Sequence, residues 1–286
     1  MQSYSLCQGR FSLIQELGFG ATASVHLAMD HEQGSLCAVK ILSPSYLQSP
    51  EALPRMKREF KALSQLQSEH IIDIYDIFED PPFFSMEFLS GLSLNQWLEV
   101  QGRMPEDKLL FIAKTLTQTL GMCHNHGIIH RDLKPSNIIM AAEERPVLVD
   151  FGMMRIENGT PITATGIAIG TIGYIAPEQL ENAKEADHRS DIFSLGVCLL
   201  CLATALPPIS ITRLLEEAEK TLSPAFVRIL MRMTLQNPVH RPQSINKVHE
   251  QLCRLHLPTP SDIKLFIPLE KQFLNMDDIS TFVPEK

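Results

Sequence analysis

The first ninety residues alternate between apolar and polar positions. Arg10–Leu17, Ser24–Met29 and Ser35–Leu42 are short alternating or β-branched runs, and this pattern predicts strands. Asp30–Gly34 is a tight connection with a glycine near its end, so the second and third runs read as a hairpin. Between Pro50 and Gln67 the period changes. Leu53, Met56, Phe60, Leu63 and Leu66 recur at spacings of three and four, which predicts a helix. Ile71–Phe78 and Phe83–Leu89 read as two further strands, separated by Pro81-Pro82.

Beyond Gly91 the helical period dominates. Glu106–His126 carries Leu109, Leu110, Ile112, Ala113, Leu116 and Leu120 on one stripe. Two short β-like pieces follow, Ile138–Met140 and Val147–Val149. Residues 152–175 are rich in Gly, Thr and Ile without a helical period and read as a long functional loop. From Ser190 to Leu255 the pattern is helical again, with expected breaks at Pro207-Pro208, Pro224 and Pro238. There is no internal repeat. The layout is a small β-rich lobe followed by a larger α-rich one.

Composition narrows the class. Of 286 residues, 44% are apolar and 20% charged, which excludes a mostly disordered chain, a coiled coil and a collagen-like repeat. The net charge of −8 argues against nucleic acid as a general partner. Six cysteines without framework spacing point to a reducing compartment. The start lacks the basic and apolar regions of a signal peptide. The apolar run Ile192–Leu206 is about 15 residues long, short of the roughly 20 that span a bilayer, and predicts a buried helix. The expectation is a cytoplasmic protein with no membrane span.

Three segments carry candidate chemistry. Gly18-Phe19-Gly20-Ala21-Thr22-Ala23-Ser24-Val25 holds two glycines that let backbone amides approach a polyphosphate. A strand pattern follows it where a dinucleotide fingerprint needs a helix, so the turn reads as a flap between strands. Lys40 stands inside the apolar run Leu36–Leu42, where a buried ammonium needs an anion, and Glu59 on the next helix is the candidate partner. The plainer alternative is a lysine stem reaching out to water. His130-Arg131-Asp132-Leu133-Lys134-Pro135-Ser136-Asn137 offers a carboxylate, a lysine and an amide, and Asp150-Phe151-Gly152 adds a second carboxylate. Asn137 and Asp150 are oxygen donors of the kind hard Mg²⁺ prefers, which leaves Asp132 to accept a proton from a hydroxyl.

At these residues the chain resembles the eukaryotic-type, or Hanks-type, serine/threonine protein kinases. The segments Gly18–Val25, Cys37-Ala38-Val39-Lys40, Glu59, His130–Asn137, Asp150-Phe151-Gly152 and Ala176-Pro177-Glu178 stand in the family's order. Asp191–Gly196 and Asn237–Pro242 resemble its two structural motifs in the large lobe. Lys134 resembles the Ser/Thr class, and the segment Gly170–Gln179 resembles the bacterial members.

The resemblance implies an α+β, two-lobed protein kinase fold, with a small β-rich N-lobe bearing one main helix and a larger α-helical C-lobe. The catalytic domain would cover 10–255, with the N-lobe at 10–89 and the C-lobe at 90–255. It implies transfer of the γ-phosphate of ATP, with Mg²⁺ or alternatively Mn²⁺, to protein Ser/Thr hydroxyls. Leu17, Gly18, Phe19, Gly20, Ala21, Thr22, Ala23, Ser24, Val25, Ala38, Lys40, Met86, Glu87, Leu89 and Ile139 would line the nucleotide. Lys40 would hold its α- and β-phosphates, positioned by Glu59. Met86 would be the gatekeeper, and Glu87 to Leu89 the hinge. Asp132 would orient the hydroxyl, Lys134 would neutralise the γ-phosphate, and Asn137 and Asp150 would hold the metal.

The alternatives from other classes are a pseudokinase scaffold and a small-molecule phosphotransferase. The segment Gly170–Glu178 favours a protein substrate over the latter. Arg131 suggests an activation-loop phosphate, with the chain itself as substrate at Thr163 and Thr165. Thr160 is a weaker site, Ile167 fills the position phosphorylated in animal kinases, and Thr171 reads as a brace for Asp132 and Lys134. Ser93, Ser136 and Cys201 stand where arginine-directed kinases carry acids. Cys123, His124, His126 and His130 suggest a metal cluster but read more simply as a helix end. Cys198 and Cys201 read as small core residues. Residues 256–286 form an apolar tail, expected to dock on the large lobe or on a partner.

Overall fold

The computed structural model describes residues 5–151, 172–182 and 186–255. A six-stranded antiparallel sheet forms the small lobe: β1 (Ser5–Leu6), β2 (Phe11–Phe19), β3 (Ala23–Asp30), β4 (Ser35–Leu42), β5 (Ile74–Glu79) and β6 (Pro82–Met86). Their spatial order is β1-β2-β3-β4-β6-β5. Helix α1 (Ala52–Leu63) packs on one face.

Strand alternation sorts the side chains into two layers. Phe83 points into a cluster with Phe11, Ala28, Cys37 and Val39. Its neighbour Phe84 points the other way, to Ala23, Leu42, Ala52 and Met56 beneath α1. Burying each such ring contributes about 1.5–3 kcal/mol. β3 and β4 pair without interruption from Ala23↔Leu42 to Asp30↔Ser35. β2 breaks register twice, between Leu13 and Gln15 and between Glu16 and Gly18. Such bulges bend and twist a strand, here as it enters the glycine turn.

A second sheet, β7 (Leu92–Ser93), β8 (Ile138–Ala141) and β9 (Arg145–Leu148), sits at the start of the large lobe. Among the described residues its helices are α2 (Leu94–Gln101), α3 (Glu106–Asn125), α4 (Pro177–Glu181), α5 (Arg189–Thr204), α6 (Ile211–Ala218), α7 (Pro224–Met233) and α8 (Ile245–Cys253). Every residue of α5 from Ser190 to Ala203 is buried. A helix apolar all round belongs at the centre of a lobe, and α3, α6 and α7 pack against this one.

Several elements differ from the pattern-based expectation. The helix expected from Pro50 to Gln67 spans only Ala52–Leu63, and its end closes through Gln65 and Leu66 turns onto Ala62 and Leu63 carbonyls. Ile71 and Ile72 are apolar but join the other sheet: the Ile72 amide donates to the Leu148 carbonyl at 3.0 Å. The strand expected to reach Leu89 ends at Met86, because the Glu87 amide turns to the Asp73 carbonyl at 2.8 Å. Pro224 starts a helix instead of breaking one. It occupies the first turn behind the Ser223 cap, where proline's missing N–H costs nothing. Thr160, Thr163, Thr165, Ile167, Thr171 and the 256–286 tail lie outside the described residues.

Candidate active site

Lys40 is centred in the small-lobe sheet, opposite Val25 on β3 and Phe84 on β6. Its ammonium lies 5.5 Å from the Phe84 ring centroid. Nζ donates to Glu59 Oε1 at 2.8 Å and to Asp150 Oδ1 at 2.8 Å. Two carboxylates, 91 residues apart in sequence (150 − 59), thus meet on one amine. Burial alone would lower the Lys40 pKa, but Asp150 and Glu59 together outweigh it and raise it. The Lys40 charge holds Asp150 below the usual carboxylate range. Burial pushes Glu59 up against the pull of Lys40. Glu59 Oε2 is buried with no hydrogen-bond partner, so Lys40 is what makes this glutamate tolerable in the interior.

The segment His130–Asn137 is a loop ending in a short 3-10 turn, Pro135–Asn137. Asp191, fully buried in the first turn of α5, accepts the amides of His130 at 2.9 Å and Arg131 at 2.8 Å. His124 Nε2 lies 2.8 Å from the same carboxylate. Burial opposes ionisation of Asp191, but His124, His130 and the Arg131 amide outweigh it and lower its pKa. Gln179 Nε2 donates to the Arg131 carbonyl at 3.2 Å. These anchors hold Arg131 at φ 64°, a conformation that costs a non-glycine residue energy. Asp150 is held similarly, at φ 54°.

His130 is wholly buried and tilts against the Phe151 ring, centroids 4.5 Å apart. Nε2 donates to the Val149 carbonyl at 3.2 Å, and Nδ1 accepts the Asp132 amide at 3.3 Å. Burial lowers its pKa, in keeping with a neutral ring. Asp132 Oδ2 accepts from Lys134 Nζ at 2.9 Å and from Asn137 Nδ2 at 3.1 Å. Asn137 Nδ2 also donates to the Asp132 carbonyl at 2.8 Å. The Val149 amide donates to the Asn137 carbonyl at 3.0 Å, tying this loop to the strand end that carries Asp150.

The expected nucleotide-lining residues fall in two places. Gly18 and Phe19 pair with Val25 and Ser24 across β2 and β3, and the Gly20 amide donates to the Ala23 carbonyl at 2.9 Å. A Cβ on Gly18 would meet nothing within 4 Å, and on Gly20 only the Ala23 carbonyl at 3.6 Å. The turn itself therefore makes no demand for glycine; the absent side chains leave its backbone bare. Leu17 and Phe19 are exposed. Ala38 lies opposite Met86, while Met86 and Ile139 are partly buried against the large core. Leu89 is buried. The Glu87 side chain turns away to Arg145, 2.9 Å.

Sequence reading left three positioning groups without a role: Asp191, His124 and Gln179. A carboxylate amid the apolar residues of α5 is the signal that points to Asp191. Further out, Arg241, buried beneath α4 and α5, holds Glu178 through Nη1 at 2.6 Å and Nη2 at 2.8 Å. Cys123 is buried and its thiol pushed up to about 12, while His126 Nδ1 bonds the Met122 carbonyl. Cys198 and Cys201 are buried in α5. Among the described residues no helix is long and apolar enough to cross a membrane.

The protein kinase domain family matches residues 11–264. The chain belongs to that family. This kinase domain is 30% identical over 274 residues to the serine/threonine-protein kinase PknB of Mycobacterium leprae, covering 88% of this chain and 44% of that protein. It is 36% identical over 188 residues to the serine/threonine-protein kinase PknA of Corynebacterium glutamicum, covering 63% and 40%. The chain thus spans less than half the length of these relatives. Its fold matches the crystal structure of the Mycobacterium tuberculosis PknI kinase domain with a TM-score of 0.69 at 22% identity, over 87% of this chain and 99% of that one. The protein kinase fold is therefore the one the two-lobed layout anticipates.

Proposed function

We propose that this kinase domain transfers the γ-phosphate of ATP to serine or threonine hydroxyls of proteins, its own chain included. One observation carries the reading: Lys40 bridges Glu59 and Asp150 while Lys134 and Asn137 both bond Asp132. These contacts support reading Lys40 as the phosphate-binding amine, Asn137 and Asp150 as oxygen donors and Asp132 as proton acceptor of a phosphotransfer site.

The proposed domain runs over 10–255. Lys40 binds the α- and β-phosphates of the substrate, with Glu59 fixing its position. The bare backbone from Gly18 to Val25 covers the triphosphate, and Ala38, Met86, Glu87, Leu89 and Ile139 flank the base. Asp132 accepts the hydroxyl's hydrogen bond and then its proton, with Asn137 fixing the carboxylate. Lys134, on the same carboxylate, offers positive charge to the transferred group.

The donor set fits a hard divalent cation. Asn137 turns its amide nitrogen to Asp132, and its amide oxygen, which accepts from Ser136 Oγ at 3.3 Å, has a second lone pair to offer a metal; the Asp150 side chain is 45% exposed. Bound there, Mg²⁺ or Mn²⁺ neutralises phosphate charge. Thr163 and Thr165 are the proposed autophosphorylation sites. Because Ser93, Ser136 and the buried Cys201 offer no carboxylate, the domain has no strong preference for arginine upstream of the target. A peptide array dominated by upstream arginine would refute that lack of preference.

The test of the activity is radiolabelled γ-phosphate transfer to the protein itself and to generic protein substrates, with and without Mg²⁺. Label on serine or threonine that disappears in Asp132→Asn supports the proposal. No transfer by protein that binds Mg·ATP would identify a scaffold, and label only on small molecules would identify the other phosphotransferase class.

A further inference from the structure

Away from the cleft, α8 ends in a second arrangement of reactive groups. Cys253 is exposed, whereas Cys37, Cys123, Cys198 and Cys201 are buried and Cys7 is half-buried. Side chains of a helix lean toward its N-terminus, so Cys253 reaches back one turn to His249. Sγ lies 3.4 Å from His249 Nε2.

The other ring nitrogen faces α3. His249 Nδ1 lies 3.1 Å from the Lys114 carbonyl and 3.0 Å from Thr117 Oγ1. The carbonyl can only accept. Thr117 is fully buried, and its hydroxyl lies 2.7 Å from the Ala113 carbonyl as a donor, so toward His249 its oxygen also accepts. Both partners require the proton on Nδ1. The Nε2 lone pair is thereby aimed at the Cys253 thiol. An imidazole oriented on one side by acceptors and facing a thiol on the other is the general arrangement that activates a sulfur nucleophile.

We propose that Cys253 is a modification site for low-molecular-weight disulfides, with His249 as its base and Thr117 and the Lys114 carbonyl setting the tautomer of that base. The Cys253 proton passes to His249 Nε2. The thiolate attacks one sulfur of the small disulfide; a new S–S bond forms at Sγ as the old one breaks. The departing thiolate takes the proton back from His249 and leaves as a thiol. The exchange is balanced, and the small disulfide is the only oxidant. With the other five cysteines buried or half-buried, none competes to resolve the adduct, so it persists until an external thiol reverses it.

The experiment treats the folded 286-residue chain with dithiobis-nitrobenzoate and, separately, with oxidised glutathione at neutral pH. One fast-reacting thiol equivalent is expected, with the adduct mapped by mass to Cys253 and lost in Cys253→Ser. Folded His249→Gln is expected to react about tenfold more slowly, and guanidinium is expected to abolish the difference. A fast equivalent that survives in Cys253→Ser would overturn the assignment, as would a His249→Gln rate within about twofold of wild type. If His249→Gln does not fold, the wild-type chain decides alone. Cys253 reacting faster in the native than in the denatured state supports the site, and equal or slower reaction sinks it.

Discussion

Arg241 and Glu178, 63 residues apart, form a two-pronged ion pair in which the arginine side chain has no exposure to solvent. The pair joins α4, which carries the Ala176-Pro177-Glu178 segment, to the turn before α8. Arg241 also bonds the carbonyls of Leu235, Gln236 and Arg189. Removing one partner strands a buried charge, which typically costs about 3–5 kcal/mol. Glu178→Gln should therefore lower unfolding stability by several kcal/mol, read from urea denaturation. A loss under about 1 kcal/mol would show that the pair is solvated in solution.

The two aspartates of the cleft should fail differently. Asp132→Asn is expected to reduce phosphotransfer by ~10²–10⁴ while ATP affinity stays near wild type. Asp150→Asn removes a charge that Lys40 contacts and a proposed metal donor, so nucleotide affinity in the presence of Mg²⁺ should fall as well. Calorimetric titration with Mg·ATP beside a turnover assay separates the two. Equal affinity losses in both variants would remove the distinction between base and metal ligand.

Glycines in the two lobes should respond oppositely to alanine. A Cβ on Gly91 would lie 2.0 Å from the Met140 carbonyl oxygen, a backbone atom that cannot swing away. Gly91→Ala should cost about 1–3 kcal/mol by forcing β7 from β8. Gly18→Ala has open space and should leave the melting temperature unchanged, whatever it does to nucleotide binding. Thermal melts of both variants check the contrast.

Acid should weaken the fold through His130. Its folded pKa lies below its ordinary value of 6.5 because it is buried. The unfolded chain therefore takes up a proton at a pH where the folded one does not. The stabilisation is fully present above pH 6.5 and is lost as pH falls from there toward the folded pKa. Denaturation midpoints between pH 5 and pH 8 should show this slope in wild type, and a flatter one in His130→Phe. An identical slope in both would assign the effect elsewhere.

Much of the small lobe was legible because its strands are buried on alternating faces, and alternation survives in the sequence. Ser35–Leu42 was read to the residue, and Lys40 with Glu59 followed from an ammonium in an apolar run. Helix Leu94–Gln101 was not anticipated, although Ser93 and Gln96 form a complete capping box at its start. Its eight residues are too few for a period to emerge. Ile71 and Ile72 misled because apolar character says how deep a residue lies, not which sheet it joins. Asp191 was placed in a structural motif without its role, since two of its partners are backbone amides, which have no signature in side-chain chemistry, and the third, His124, lies on a distant helix.

That last carboxylate has a consequence for motion. The amides of His130 and Arg131 belong to no helix or strand, so their shape suggests a segment that opens to water readily. Both donate to Asp191, in a helix whose residues from Ser190 to Ala203 are all buried. Solvent deuterium should reach them only when α5 itself loosens. In hydrogen exchange the His130–Arg131 turn would then keep time with the core of the large lobe, and its amides should be among the last of the described residues to be labelled.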